Sequence, residues 1–119
     1  MIRKGASIFA TLCLTAISLL AHPPKNNEMT FNRGTLTLSV KALHAVSDRA
    51  KHYVKSIRVL VNGQTIAAKT FDRQLDPGFQ EGEFKFDPAA VSLPQGAELT
   101  VVSECSVYGK KKTTISLGS

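Results

Sequence analysis

Between residues 35 and 41 the chain alternates strictly, with Leu36, Leu38 and Val40 set against Thr35, Thr37, Ser39 and Lys41. A period of two is the signature of a strand with one face buried and one wet. Residues 53–61 are rich in β-branched side chains and run into Asn62-Gly63, after which residues 64–71 continue in the same manner. An Asn-Gly pair supplies the positive φ angles of a two-residue hairpin turn, so these two runs are expected to pair as a hairpin. A Gly/Pro/Asp-containing stretch, residues 75–82, leads to Glu83-Phe84-Lys85-Phe86. Pro88, Pro94 and Gly96 then punctuate the way to a strand at 98–104, and Gly109 opens a turn before a last strand near 113–117. No part of this region keeps apolar residues at helical spacing for three turns. Six or seven short strands in two antiparallel sheets packed face to face are the expected architecture, an all-β sandwich. Its core is expected to hold Leu36, Leu38 and Val40 against Val101, Phe84 and Phe86.

The first residues follow a different pattern. Arg3 and Lys4 precede an apolar run from Ile8 to Leu20 that carries no acid. It is shorter than the ~20 residues that span a bilayer, and its charged start fits a secretory signal peptide. Residues 1–21 are therefore expected to be a signal peptide and residues 22–119 a single domain, exported to the periplasm and free of the membrane after cleavage. Cleavage after Ala21 makes His22 the first residue, cleavage after Ser18 makes it Leu19, and a retained anchor is the remaining alternative. At 119 residues the chain has no room for a two-domain enzyme. Removing the leader takes Cys13 with it and leaves Cys105 alone, so no internal disulfide can form. Its thiol must be buried, intermolecular or a metal ligand.

The charge of +6 does not point to nucleic acid. Lys110-Lys111-Lys112 has no interleaved aromatics and reads as a solvated turn. Asp72, Asp76, Glu81 and Glu83 have no spacing that singles out an acid–base pair, and no nucleophile elbow or Gly-rich phosphate loop is present. The remaining chemistry lies in His22, His44, His52 and Cys105. His44 ends the first strand, His52 opens the second, and Cys105 ends a later one, so antiparallel topology can bring them to one end of the sandwich. Imidazoles with a thiolate suit iron, zinc or copper rather than magnesium or calcium.

Ala42-Leu43-His44, then His52-Tyr53-Val54 opening a strand with Ile57 and Val59, and finally Cys105-Ser106-Val107-Tyr108-Gly109 resemble, in this order, the iron-binding domain of the desulfoferrodoxin and superoxide reductase family. The resemblance covers most of residues 22–117 and implies an immunoglobulin-like sandwich of seven strands. It also implies a mononuclear iron with four equatorial histidines, an axial thiolate and an open position for superoxide, which is reduced to hydrogen peroxide. His44, His52 and Cys105 match the pattern, and His22 matches the first ligand by its place upstream of the first strand. Two departures stand out. Leu20-Ala21 replaces the family's Glu-Lys before the first histidine, and Tyr108 replaces the histidine of Cys-x-x-His-Gly, with Gly109 retained. The Tyr108 phenol, water or the mature N-terminus is then left to fill the fourth position. His22 as the first residue would offer its imidazole and α-amine together, a chelate suited to copper as well as iron. Lys51, beside His52, is the cation expected to attract superoxide in place of the missing lysine. No Cys-x-x-Cys centre precedes the domain, so an external electron donor protein is implied. The alternative is a metal-free binding module, similar to the sandwich subunit of sulfur-oxidation carrier complexes or descended from the iron fold. Cys105 favours the iron reading.

Overall fold

The computed structural model describes residues 22–118, so the expected signal peptide lies outside the described residues. Seven strands follow one another: β1 (Asn26–Asn32), β2 (Thr37–Leu43), β3 (Val54–Val61), β4 (Gln64–Thr70), β5 (Phe79–Lys85), β6 (Glu98–Cys105) and β7 (Lys110–Ser116). They form an immunoglobulin-like sandwich of a three-stranded sheet, in the order β1-β2-β5, and a four-stranded sheet, in the order β4-β3-β6-β7. All the ladders are antiparallel.

Alternation produces the core. Leu38, Val40 and Ala42 of β2 are buried, as are Val54, Ile57 and Val59 of β3 and Leu99 and Val101 of β6. Leu38 sits opposite Phe84 in one sheet and Val59 opposite Val101 in the other, so both inner faces present aliphatic and aromatic side chains to a shared interior. The β3–β4 hairpin forms at Asn62-Gly63, whose φ angles of 48° and 84° are those of a two-residue turn that follows the strand twist.

Three local expectations change. Leu36 lies before β2, at a φ of 52°, and packs partly buried against the core, while the fully buried positions of β2 are Leu38, Val40 and Ala42. Residues 26–32, which carry three asparagines and lie ahead of the first strand expected from the sequence, form β1, with Asn27 satisfied inside the sandwich. Its amide donates to the Lys111 carbonyl (3.0 Å) and to Thr113 Oγ1 (3.3 Å), and its Oδ1 accepts from Ser103 Oγ at 2.6 Å. That buried side chain ties the edge of one sheet to the other. Lys110-Lys111-Lys112 opens β7 rather than forming a turn; pairing with residues 102–104 of β6 engages its backbone, while Lys110 and Lys112 stay exposed.

Candidate metal centre

The ends of three connections meet at one end of the sandwich. Lys25 N–H donates to the Leu43 carbonyl at 2.7 Å, extending the β1–β2 ladder and holding the His22-Pro23-Pro24 lead beside the end of β2. His44 is the next residue of that strand's path, and its N–H donates to the Gly78 carbonyl at 2.9 Å. Between β2 and β3, Asp48 organises a turn in which its Oδ1 accepts from Ala50 N–H and its carbonyl accepts from His52 N–H at 2.8 Å. This turn delivers His52 just before β3.

The result is a triangle of imidazoles. Ring centroids lie 4.9 Å apart for His22 and His44, 5.0 Å for His22 and His52, and 4.7 Å for His44 and His52. One ring nitrogen from each falls within 4.8 Å of the others. Two metal–nitrogen bonds of about 2.1 Å span about 4.2 Å, so small ring movements suffice for one ion to touch all three. His44 is buried, and His22 and His52 are half-buried. His52 Nε2 is buried and has no hydrogen-bond partner among the described residues. A buried, unpartnered ring nitrogen costs stability unless something else fills its lone pair or accepts its proton. Burial first, then the neighbouring His44 and His22 rings, hold the His52 imidazole below its ordinary range, with the His22 backbone opposing in part. A neutral imidazole is the form that binds a metal.

Cys105 ends β6, where Val54, two residues after His52, pairs with it. It is 3% exposed, and its Sγ accepts from Val107 N–H at 3.4 Å. Its sulfur lies outside the set of three mutually close nitrogens. The turn after it is locked against the His22 lead. Gly109 has a φ of 78°, and a Cβ there would lie 2.8 Å from Pro23 Cβ, so both the backbone conformation and the space require glycine. Tyr108, immediately before it, is 62% exposed and is not drawn in with the buried donors. Lys51 is exposed on the turn that carries His52, and its carbonyl accepts from Ser106 Oγ at 3.4 Å. A cleft beside His22 and His44 is also lined by Lys25, Lys110 and Lys111.

The residue missed in the sequence is Gln74. It has no exposed surface, and its Oε1 accepts from His44 Nδ1 at 3.0 Å and from Val54 N–H at 3.2 Å. Its Nε2 donates to the carbonyls of His44 (2.7 Å) and Asp76 (2.8 Å). Nothing in the run Arg73-Gln74-Leu75-Asp76-Pro77-Gly78 marks a buried amide, because its partners His44 and Val54 are 30 and 20 residues away.

No family model and no curated protein matches this sequence. Among solved structures the chain is similar to "Superoxide reductase (1Fe-SOR) from Giardia intestinalis", with a TM-score of 0.57 and 16% identity over 81% of this chain and 100% of that one. At that identity the likeness is one of fold. The chain has a superoxide reductase-like β-sandwich, and a cluster of three histidines able to hold a metal stands at one end of it.

Proposed function

We propose that this protein binds a mononuclear iron through His22, His44, His52 and Cys105 and reduces superoxide to hydrogen peroxide. The observation that carries the reading is the convergence of three imidazoles, one with a buried Nε2 that has no partner, on this fold. The three imidazoles fit the group, since borderline nitrogens suit a redox-active transition metal, and Cys105 at the neighbouring strand end would add a soft sulfur. Iron bound there supplies a one-electron couple, and a thiolate donor favours release of the reduced product. Superoxide takes up one electron and two protons to leave as hydrogen peroxide, the electron coming from an external donor protein.

The chain's own residues have separate tasks. His22, His44 and His52 present ring nitrogens to a shared centre, and burial favours the neutral form of His52. Val107 N–H steadies the Cys105 sulfur. Lys25, Lys110 and Lys111 on the adjoining cleft, with Lys51 nearby in the chain to His52, draw the anionic substrate toward the cluster. Tyr108 stands where the resembled family has a fourth histidine, so the cage is expected to be weaker than a four-histidine one. Residues 1–21 direct export to the periplasm and are removed. Should the cut fall after Ala21, the α-amine of His22 adds a donor that also suits copper.

The test is the oxidised, iron-loaded protein. A sulfur-to-iron charge-transfer band in the visible is expected, lost in Cys105→Ser while the β-sheet circular dichroism stays. Tyr108→His is expected to tighten iron binding and raise superoxide consumption. A wild type that takes up iron without a sulfur band removes Cys105 from the site, and one that fails to consume superoxide with iron bound rejects the activity.

A further inference from the structure

We propose that Gln74 is the positioning residue of the histidine cluster: its buried side-chain carbonyl keeps the His44 proton on Nδ1 and leaves the Nε2 lone pair facing the shared centre. This rests on the metal reading above and deepens it by assigning what sets the polarity of one ligand.

The orientation of the Gln74 amide is determined without reference to His44's ring. Both Nε2 hydrogens are taken, by the carbonyls of His44 at 2.7 Å and Asp76 at 2.8 Å. Oε1 faces the Val54 N–H at 3.2 Å. Turning the amide over would set an oxygen against two carbonyls and an NH2 against an N–H, replacing three buried hydrogen bonds with three repulsions. The oxygen therefore points to His44 Nδ1, 3.0 Å away, and an amide oxygen can only accept. Nδ1 must carry a proton, and in the neutral form of the ring it is the only one.

The other nitrogen is then a bare acceptor. His44 Nε2 lies 3.2 Å from the His22 carbonyl oxygen, which also only accepts. In the neutral ring two lone pairs then face each other beside His52 Nε2, an arrangement that a cation relieves and an apolar filler would not. Gln74 is joined by backbone hydrogen bonds to His44 and to Val54, two residues after His52, so it also fixes the two histidine-bearing strand ends relative to each other. Partners that orient a metal-binding imidazole in this way typically change metal affinity by about 10–100-fold when removed.

Gln80 supplies the control. It has no exposed surface, donates to the Val54 and Arg73 carbonyls and accepts from Leu75 N–H, so its removal disturbs the same region through other groups. The experiment is long-range 1H–15N NMR of the His44 ring in the metal-free protein at about pH 8, above the ordinary imidazole range, with cobalt(II) titration of wild type, Gln74→Met and Gln80→Met. The wild type is expected in the Nδ1–H form. Gln74→Met is expected to move His44 toward Nε2–H and weaken cobalt(II) binding by about 10–100-fold. Gln80→Met is expected to lower thermal stability yet leave the tautomer unchanged and the affinity within about two-fold. A wild type that binds cobalt(II) with His44 in the Nε2–H form overturns the role of Gln74 alone, as does a folded Gln74→Met with wild-type affinity. A wild type in the Nδ1–H form that binds no cobalt(II) overturns the metal site, and the positioning role with it. Should Gln74→Met not fold, the wild-type ring spectrum alone decides the tautomer.

Discussion

The middle of the sandwich and its histidine end are both buried, but by different means. In the middle, Leu38, Val40, Ile57, Val59, Leu99 and Val101 exclude water with side chains that need no partners. At the end, His44, Gln74 and Gln80 are just as buried, and each polar atom must be matched by another. The two glutamines are matched fully, through carbonyls and N–H groups of His44, Val54, Arg73, Leu75 and Asp76. His52 Nε2 is not. A region that satisfies seven glutamine hydrogen bonds and leaves His52 Nε2 without a partner among the described residues offers that nitrogen to something other than protein.

Perturbing each region should separate stability from binding. Leu38→Ala removes a side chain with no exposed surface from between the sheets and should cost about 2–5 kcal/mol. Metal affinity of the molecules that remain folded should not change; urea unfolding and metal titration on the same sample check both. His52→Leu should do the reverse. Replacing an unpartnered nitrogen by an apolar group should leave the metal-free protein as stable as wild type or more stable by up to about 1 kcal/mol, while metal binding is lost. A large loss of stability in His52→Leu would erase the contrast.

Acid sharpens the comparison further. His52 takes up its proton in the unfolded chain near the ordinary value of 6.5 but holds out to lower pH when folded. The unfolded state therefore binds more protons in that window, and His52's contribution to stability is present above 6.5 and lost as pH falls through the folded value. Thermal unfolding of the metal-free protein should fall in temperature below pH 6.5, and His52→Leu should flatten that slope. The smallest effect belongs to the surface. Lys55 and Glu104 approach to 3.7 Å with side chains 47% and 34% exposed, so Lys55→Ala should change stability by less than about 0.5 kcal/mol in physiological salt.

The same contrast explains what could be read from the sequence. Apolar alternation reports itself, so β2, β3 and β6 were legible from Leu38, Val40, Ile57, Val59, Leu99 and Val101, and the β3–β4 turn from Asn62-Gly63. β1 was not, because Asn27 looks like a turn residue until its long-range partners Lys111, Ser103 and Thr113 are known. At the other end, His44 and His52 were placed by the connection between two strands, and His22 by its position before the first. Gln74 was invisible for the reason that hid Asn27: a polar side chain buried by long-range hydrogen bonds leaves no periodicity.

The most direct measurement is the iron content of the purified protein after anaerobic loading with a ferrous salt and removal of unbound ion, taken alongside His52→Leu. The expected result is about one iron per chain in wild type and almost none in the variant, with both proteins equally folded. A folded wild type that retains no iron would contradict the account.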